Sequence, residues 1–247
     1  MAQPELPPAA RLVINSYDPA SGCYRREDGS LDPCPTEAET LGVWRDFVRC
    51  IKPKVIVETG VYQGLSTCFL ASALESNGNE DARIYSIDPW DTPHLWENSS
   101  LEKYVQFLSM TSQDAAPFIS QLTIDLLVID SIHTYGQSSW ELKNFEPHVR
   151  EGGFIIMHDS LFFDGVGRSA QHLYDNPRFE VITFDTPRAA SVETVKSGPV
   201  SMGCTIARKI RHGAPITQDP AWLNVPEAVP VGPDPFLRSR LWEASGA

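Results

Sequence analysis

No apolar run in this 247-residue chain is long enough to cross a bilayer. The N-terminus carries Pro4, Pro7 and Pro8 where a secretory leader would have a basic segment and an apolar core. Membrane anchoring and secretion are therefore disfavoured, and a cytoplasmic location is expected. Positive charge is also scarce. Twenty Lys and Arg against 32 Asp and Glu leave a formal net charge of -12, which argues against nucleic acid or an anionic membrane as the main partner. The expected partner is a small-molecule substrate. Cysteine is sparse: Cys23, Cys34, Cys50, Cys68 and Cys204 are odd in number, scattered, and contain no CxxC pair, which removes the usual signatures of a zinc or dithiol site. Thiols in a reducing compartment are the simplest account, with a Cys23–Cys34 bridge in an N-terminal loop as the alternative. No internal repeat is visible.

What is present is an alternation of short β-branched runs with amphipathic stretches. Residues 1–36 are rich in Pro, Gly, Ser and Asp and read as an irregular extension with turns. Residues 37–211 read as one domain, and residues 212–247, with Pro215, Pro220, Pro226, Pro230, Pro233 and Pro235, as a Pro-rich arm that Trp222, Phe236 and Trp242 would anchor. The irregular ends would pack on a second copy, giving a homo-oligomer, or cover the chain's own site; the residues do not choose. Within the domain, Glu37 to Ile51 predicts a helix through Leu41, Trp44, Phe47 and Val48. Strands are expected at Lys54–Val57, Arg83–Asp88, Leu122–Asp130, Phe154–Met157, Phe179–Phe184 and Cys204–Ala207. Helices are expected at Leu65–Leu74, Leu101–Met110, Gln137–Val149 and Gly165–Leu173, and a turn at Gly152-Gly153. Such alternation implies an α/β fold with an open, mostly parallel sheet, which gathers its ligand at the carboxyl ends of the strands.

Those ends are acidic. Glu58, Asp88, Asp130 and Asp159 each close a strand, and carboxylates gathered around one crevice repel unless they share a cation. The first end, Glu58-Thr59-Gly60-Val61-Tyr62-Gln63-Gly64-Leu65-Ser66, is a glycine turn into a helix. Gly60 would allow a sharp turn, Gly64 a close approach of the helix start, and Ser66 a hydroxyl near free helix amides. Tyr62 stands where a dinucleotide fingerprint needs its second glycine, and Glu58 opposes a pyrophosphate but suits a cationic amine. Asp88 is placed to accept from vicinal ribose hydroxyls, or else to cap a loop.

Through the Glu58-x-Gly60-x-x-x-Gly64-x-Ser66 turn, Asp88 and Asp130, the stretch from about Trp44 to Arg208 resembles the class I S-adenosylmethionine-dependent methyltransferases. The run Asp130-Ser131-Ile132-His133-Thr134-Tyr135, followed by Gly152-Gly153 and His158-Asp159, is similar to the small-molecule O-methyltransferase branch related to macrocin, rhamnosyl and cephalosporin-cluster methyltransferases. The resemblance implies a single Rossmann-like, doubly wound sheet of seven strands. It also implies S-adenosylmethionine as cofactor, held by Glu58, Gly60, Tyr62, Gly64, Ser66, Asp88 and Asp130. Thr111-Ser112-Gln113-Asp114 is similar to the adenine-contacting segment of catechol-type relatives, which adds Ser112 and Gln113. Metal-dependent relatives imply a divalent cation, Mg2+ or another, on Asp130 and Asp159, with His158 as a nitrogen ligand for a softer ion; Ser160 departs from the Asn or Asp those relatives carry there. His133 falls near their catalytic lysine and would take the acceptor's proton beside Asp130, or only cap its loop.

The implied reaction is methyl transfer to the oxygen of a small hydroxylated metabolite, such as a natural product or a sugar. Two rival readings are an NAD-linked oxidoreductase on a similar sheet and a non-catalytic binding protein that keeps the fold.

Overall fold

The computed structural model describes residues 6–19, 21–32, 35–189 and 199–223. Seven strands form one sheet, and we number them along the chain: β1 (Val55–Thr59), β2 (Arg83–Ile87), β3 (Val105–Leu108), β4 (Ile124–Ile129), β5 (Val149–His158), β6 (Phe179–Phe184) and β7 (Cys204–Lys209). Their spatial order is β3-β2-β1-β4-β5-β7-β6. The first five run parallel, and β7 lies antiparallel between β5 and β6. Helices α1 (Ala38–Ile51), α2 (Leu65–Asn77), α3 (Ser112–Ile119), α4 (Tyr135–Phe145) and α5 (Asp164–Tyr174) cover the two faces. This is the doubly wound, Rossmann-like arrangement expected.

The two-residue period of a strand explains why both faces are apolar. Ile56, Leu126, Val128, Ile156 and Ile206 point to one side, where they pack with Leu41, Trp44 and Val48 of α1 and the buried run of α2. Their neighbours Val57, Leu127, Ile129, Ile155, Met157 and Ala207 point to the other, against Ala115 and Ile119 of α3, Leu142 and Phe145 of α4, and Val166, Ala170 and Leu173 of α5. From β1 the chain winds outward through β2 and β3, then returns to place β4 on the other side of β1. The crevice of the fold therefore opens between the carboxyl ends of β1 and β4.

Several local expectations are corrected. Leu101–Met110 is not a helix: a 3-10 turn at Glu102–Tyr104 leads into β3, the seventh strand. Its apolar residues fit either period, and the free edge of β2 decides, pairing Ile84 with Val105 and Ile87 with Leu108. Gly152-Gly153 does not close a turn before a strand but lies inside β5. The register there jumps from Ile124↔Val149 to Leu126↔Phe154, and Gly152 takes up φ +75° at the irregularity. The N-terminal extension is more regular than expected. A helix at Pro8–Asn15 and three short antiparallel strands, Tyr17–Asp18, Cys23–Arg25 and Leu31–Asp32, precede α1. Ala10 and Tyr24 join the core, and the Tyr24 hydroxyl donates to the Thr36 carbonyl at 2.7 Å. In the C-terminal arm, Trp222 lies under the Arg168 guanidinium at 4.0 Å, while Cys34, Phe236 and Trp242 fall outside the described residues.

Far from the crevice, Lys209, Glu146 and Arg178 form a buried ionic group. Lys209 Nζ and Arg178 Nη1 stand 2.9 and 3.2 Å from Glu146 Oε1, and Lys209 also donates to the Glu146 carbonyl. Removing one partner of such a group strands the others in a low-dielectric interior. Lys209→Met should thus cost about 3 kcal/mol in urea unfolding, and a loss below about 1 kcal/mol would show that the group contributes little.

Candidate active site

The turn after β1 has almost no room. Gly60 adopts φ +79°, and a Cβ there would lie 2.0 Å from the Asp130 carbonyl oxygen at the end of β4. Gly64 adopts φ +81°, and its Cβ would meet the Trp96 ring at 1.8 Å. Both glycines are demanded by close approach as well as by conformation. Asp88 fastens the same turn from the side: its Oδ2 accepts from the backbone N–H of Val61 (2.8 Å) and Tyr62 (3.1 Å), and its Oδ1 from that of Trp90 (2.9 Å).

Beyond this turn lies a cavity of ≈ 550 Å³, within the usual size of a small-molecule site. Gly60, Tyr62, Ser66, Asp88, Ser112, Gln113, Asp130, His133, His158 and Asp159 all line it. Glu58 and Gly64 do not. Glu58 is fully buried beneath the turn, where its carboxyl accepts from the hydroxyls of Ser66 (2.6 Å), Thr67 (2.6 Å) and Ser86 (3.0 Å). The expectation that Glu58 meets a ligand amine directly is therefore corrected: β1 turns the side chain into the sheet–α2 layer, and it braces the glycine turn from below. Burial pushes its pKa up to about 7, with the three hydroxyls offsetting part of the shift. Ser66 and Ser112 also spend their hydroxyl protons on buried carboxyls, Glu58 and Glu141 respectively. Gln113 donates to the Gln137 side chain at 2.9 Å.

At the other end of the cavity, acids and imidazoles converge. His158 Nδ1 is 3.1 Å from Asp130 Oδ1 and 3.2 Å from Asp159 Oδ1. His133 Nε2 is 3.4 Å from Asp130 Oδ1 and 3.2 Å from Asp159 Oδ2, with its ring stacked on Phe163. Burial alone would lower both imidazoles, but Asp159 and Asp130 outweigh it and raise them, His158 strongly. Burial would raise the Asp130 carboxyl, yet the two imidazoles hold it below its ordinary range, while for Asp159 burial wins and its pKa rises. Positive charge is what this end of the cavity is built to hold. Two further observations suit a cation: Asp159 Oδ1 is buried without a hydrogen-bond donor, and Asp159 takes φ +58°, a strained conformation for a residue other than glycine. Ligand atoms of Asp130, His133 and Asp159, and those of Glu37, His158 and Asp159, lie within 4.8 Å of one another, an oxygen and nitrogen donor set that suits a divalent ion.

Three contributors were not anticipated. Glu37, the residue before α1, is buried, and its Oε2 lies 3.0 Å from His158 Nε2. Thr36 donates its hydroxyl to Asp130 Oδ2 at 3.2 Å. Both lie about a hundred residues from their partners in sequence, and no spacing could have linked them. Glu141, fully buried in α4, accepts from Ser112, Gln137, Ser131 and Thr59 under the cavity floor. Its signal was legible: Ser138, Glu141, Leu142 and Phe145 recur at the spacing of one buried helix face. Among the thiols, burial pushes Cys68 up to about 12 and Cys204 up to about 11, so neither is a nucleophile at neutral pH.

Residues 57–160 match a family model described as a methyltransferase domain. Over 133 residues the chain is 22% identical to y4gI of Sinorhizobium fredii, a protein described as uncharacterized; the match covers 49% of this chain and only 14% of that longer one. Among solved structures, the fold is similar to that of cofactor-bound Rv0187 from MTB (TM-score 0.61, 16% identity, 83% of this chain and 91% of that one). It is also similar to the O-methyltransferase TomG from Streptomyces achromogenes, involved in tomaymycin synthesis and solved with SAM (0.61, 15%, 82% and 89%). A third is the Bacillus cereus O-methyltransferase in complex with SAH (0.58, 18%, 71% and 83%). At such identities the likeness to these structures concerns the fold.

Two outcomes test this geometry. Gly60→Ala should destabilise the protein by about 2 kcal/mol or more, because the added methyl must displace the Asp130 backbone; unchanged thermal unfolding would contradict the close approach. Glu58 has its folded pKa raised from 4.5 to about 7, so the folded state holds a proton that the unfolded state has lost. Stability from this group is present below pH 4.5 and falls as pH rises to about 7. Glu58→Gln should flatten that decline relative to wild type in denaturant titrations across this range, and parallel curves would refute the burial effect.

Proposed function

We propose that this chain, whose residues 57–160 match a methyltransferase domain and whose fold is that of the class I enzymes, carries the methyl group of S-adenosylmethionine to an oxygen of a small hydroxylated metabolite, such as a natural product or a sugar. The observation that carries this reading is that one cavity at the β1/β4 switch is lined both by the glycine turn and Asp88 and by the Asp130–His133–Asp159 cluster. A cofactor laid across the turn would present its sulfonium methyl toward the cluster, where the acceptor hydroxyl sits.

The backbone N–H groups of Val61 and Tyr62 are already taken by Asp88, so Asp88 both shapes the turn and offers its remaining lone pairs to ribose hydroxyls. Tyr62, with φ +50°, stands at the position of a dinucleotide fingerprint's second glycine, which disfavours the NAD reading. During transfer the acceptor oxygen forms its bond to the methyl carbon as the sulfur–carbon bond breaks, leaving S-adenosylhomocysteine. The acceptor's proton passes to Nε2 of His133, which the Asp130 and Asp159 carboxylates stabilise once it is charged. Alignment of donor and acceptor supplies most of the acceleration. A divalent cation on Asp130, Asp159 and His158, Mg2+ or another, would lower the pKa of the acceptor hydroxyl and orient its oxyanion.

Calorimetric titration with S-adenosylmethionine, S-adenosylhomocysteine and NAD is the direct test. Micromolar binding of the first two without the third is expected, and NAD binding alone would overturn the proposal. His133→Ala should then lower kcat by ~10²- to 10⁴-fold with S-adenosylhomocysteine affinity retained. An equal loss of cofactor binding would instead make His133 part of the cofactor pocket.

A further inference from the structure

One contact outside the cavity decides how His158 faces this cluster. Glu37 is almost completely buried, as is His158, and its Oε2 takes a hydrogen bond from Nε2 of His158 at 3.0 Å while also accepting from the Thr40 hydroxyl at 3.0 Å. The Trp44 ring meets the imidazole edge-on, with centroids 5.6 Å apart and planes at 88°, and holds the ring plane. An imidazole that donates through Nε2 to a carboxylate turns the lone pair of Nδ1 the other way. Here Nδ1 faces Asp130 Oδ1 at 3.1 Å and Asp159 Oδ1 at 3.2 Å, the latter a buried oxygen with no hydrogen-bond partner, and an ion that displaced the Nδ1 proton would meet the lone pair between them. Ligand atoms at these separations match neighbours around an ion with bonds of about 2.1 Å. Glu37 meets the ring at Nε2 whereas Asp130 and Asp159 meet it at Nδ1, so Glu37 stands behind His158 as outer carboxylates do for metal-bound histidines.

We propose that Asp130, Asp159 and Nδ1 of His158 form a mixed oxygen–nitrogen centre that selects a first-row transition-metal ion, from manganese to zinc, over magnesium, and that Glu37 is the positioning residue that makes His158 a ligand. Magnesium binds oxygen and parts reluctantly with its water, whereas an imidazole favours the transition ions. This rests on the metal-assisted reading above. His133 stays beside the centre as the proton acceptor.

The test uses the full chain, stripped with a chelator and titrated calorimetrically with Mn2+, Co2+ and Mg2+, with S-adenosylhomocysteine affinity measured on each sample and the visible spectrum of the Co2+ form recorded. One equivalent of Co2+ or Mn2+ should bind at least ~100-fold more tightly than Mg2+. Glu37→Gln should weaken Co2+ and Mn2+ binding ~10- to 100-fold without changing S-adenosylhomocysteine affinity, and Glu37→Asp should recover part of the loss. His158→Asn should erase the preference and alter the Co2+ spectrum, with retained S-adenosylhomocysteine binding serving as the check on folding. Equal affinity for Mg2+ and Mn2+, no ion bound, or Glu37→Gln binding Co2+ like wild type would each overturn the proposal. Failure of wild type to bind S-adenosylhomocysteine would instead sink the methyl-transfer reading, and the metal titrations would still decide the centre by themselves.

Discussion

Between β1 and β4 the backbone of Gly60 lies so close to the Asp130 carbonyl that a single methyl group could not fit. Everything at the crevice is arranged around that contact. It fixes where the two strands part, and so where the turn after β1, the loop after β4 and the Asp130 side chain stand relative to one another. Asp88 ties down the turn from the β2 side, and Glu58 braces it from beneath through Ser66 and Thr67 of α2 and Ser86 of β2. A rigid turn of this kind costs no reorganisation when a ligand arrives, which is what an alignment-driven transfer requires.

The second organising element is charge. Glu37, Asp130 and Asp159 crowd two imidazoles in a space that is largely closed to water. Their mutual repulsion is relieved by positive charge, either as protons on His133 and His158 or as a bound ion. The strained backbone of Asp159 and its donorless oxygen belong to the same design, since strain and unpaired polar atoms gather where a site is waiting for a ligand. The Lys209–Glu146–Arg178 group, by contrast, brings two cations to one oxygen of a single carboxylate, Glu146 Oε1, and leaves its buried Oε2 without a partner.

Reading the chain as a sequence succeeded where periodicity and punctuation agree. Strands with β-branched residues on both faces, glycines at a strand end and acids after four strands pointed to an α/β sheet with its crevice at the carboxyl ends. Val105 to Leu108 defeated that reading because four apolar-rich residues fit a helix turn and an edge strand alike; the unpaired edge of β2 made the choice. Glu58 defeated it differently. Its place beside the glycine turn was correct, but which face of β1 it occupies sends the carboxyl into the layer beneath the turn and away from the cavity.

What the sequence alone determined is the layer plan, the glycine turn, and which residue types stand at the strand ends, because these depend on local spacing and backbone conformation. What only the tertiary structure decided is which of those residues share a space and which way each side chain faces. Glu37 reaches His158 across 121 positions, Thr36 reaches Asp130 across 94, and Glu141 gathers hydroxyls from β1, α3 and the loop after β4. Contacts of that kind arise from the packing of α1 and α4 on opposite faces of one sheet, and no local pattern encodes them.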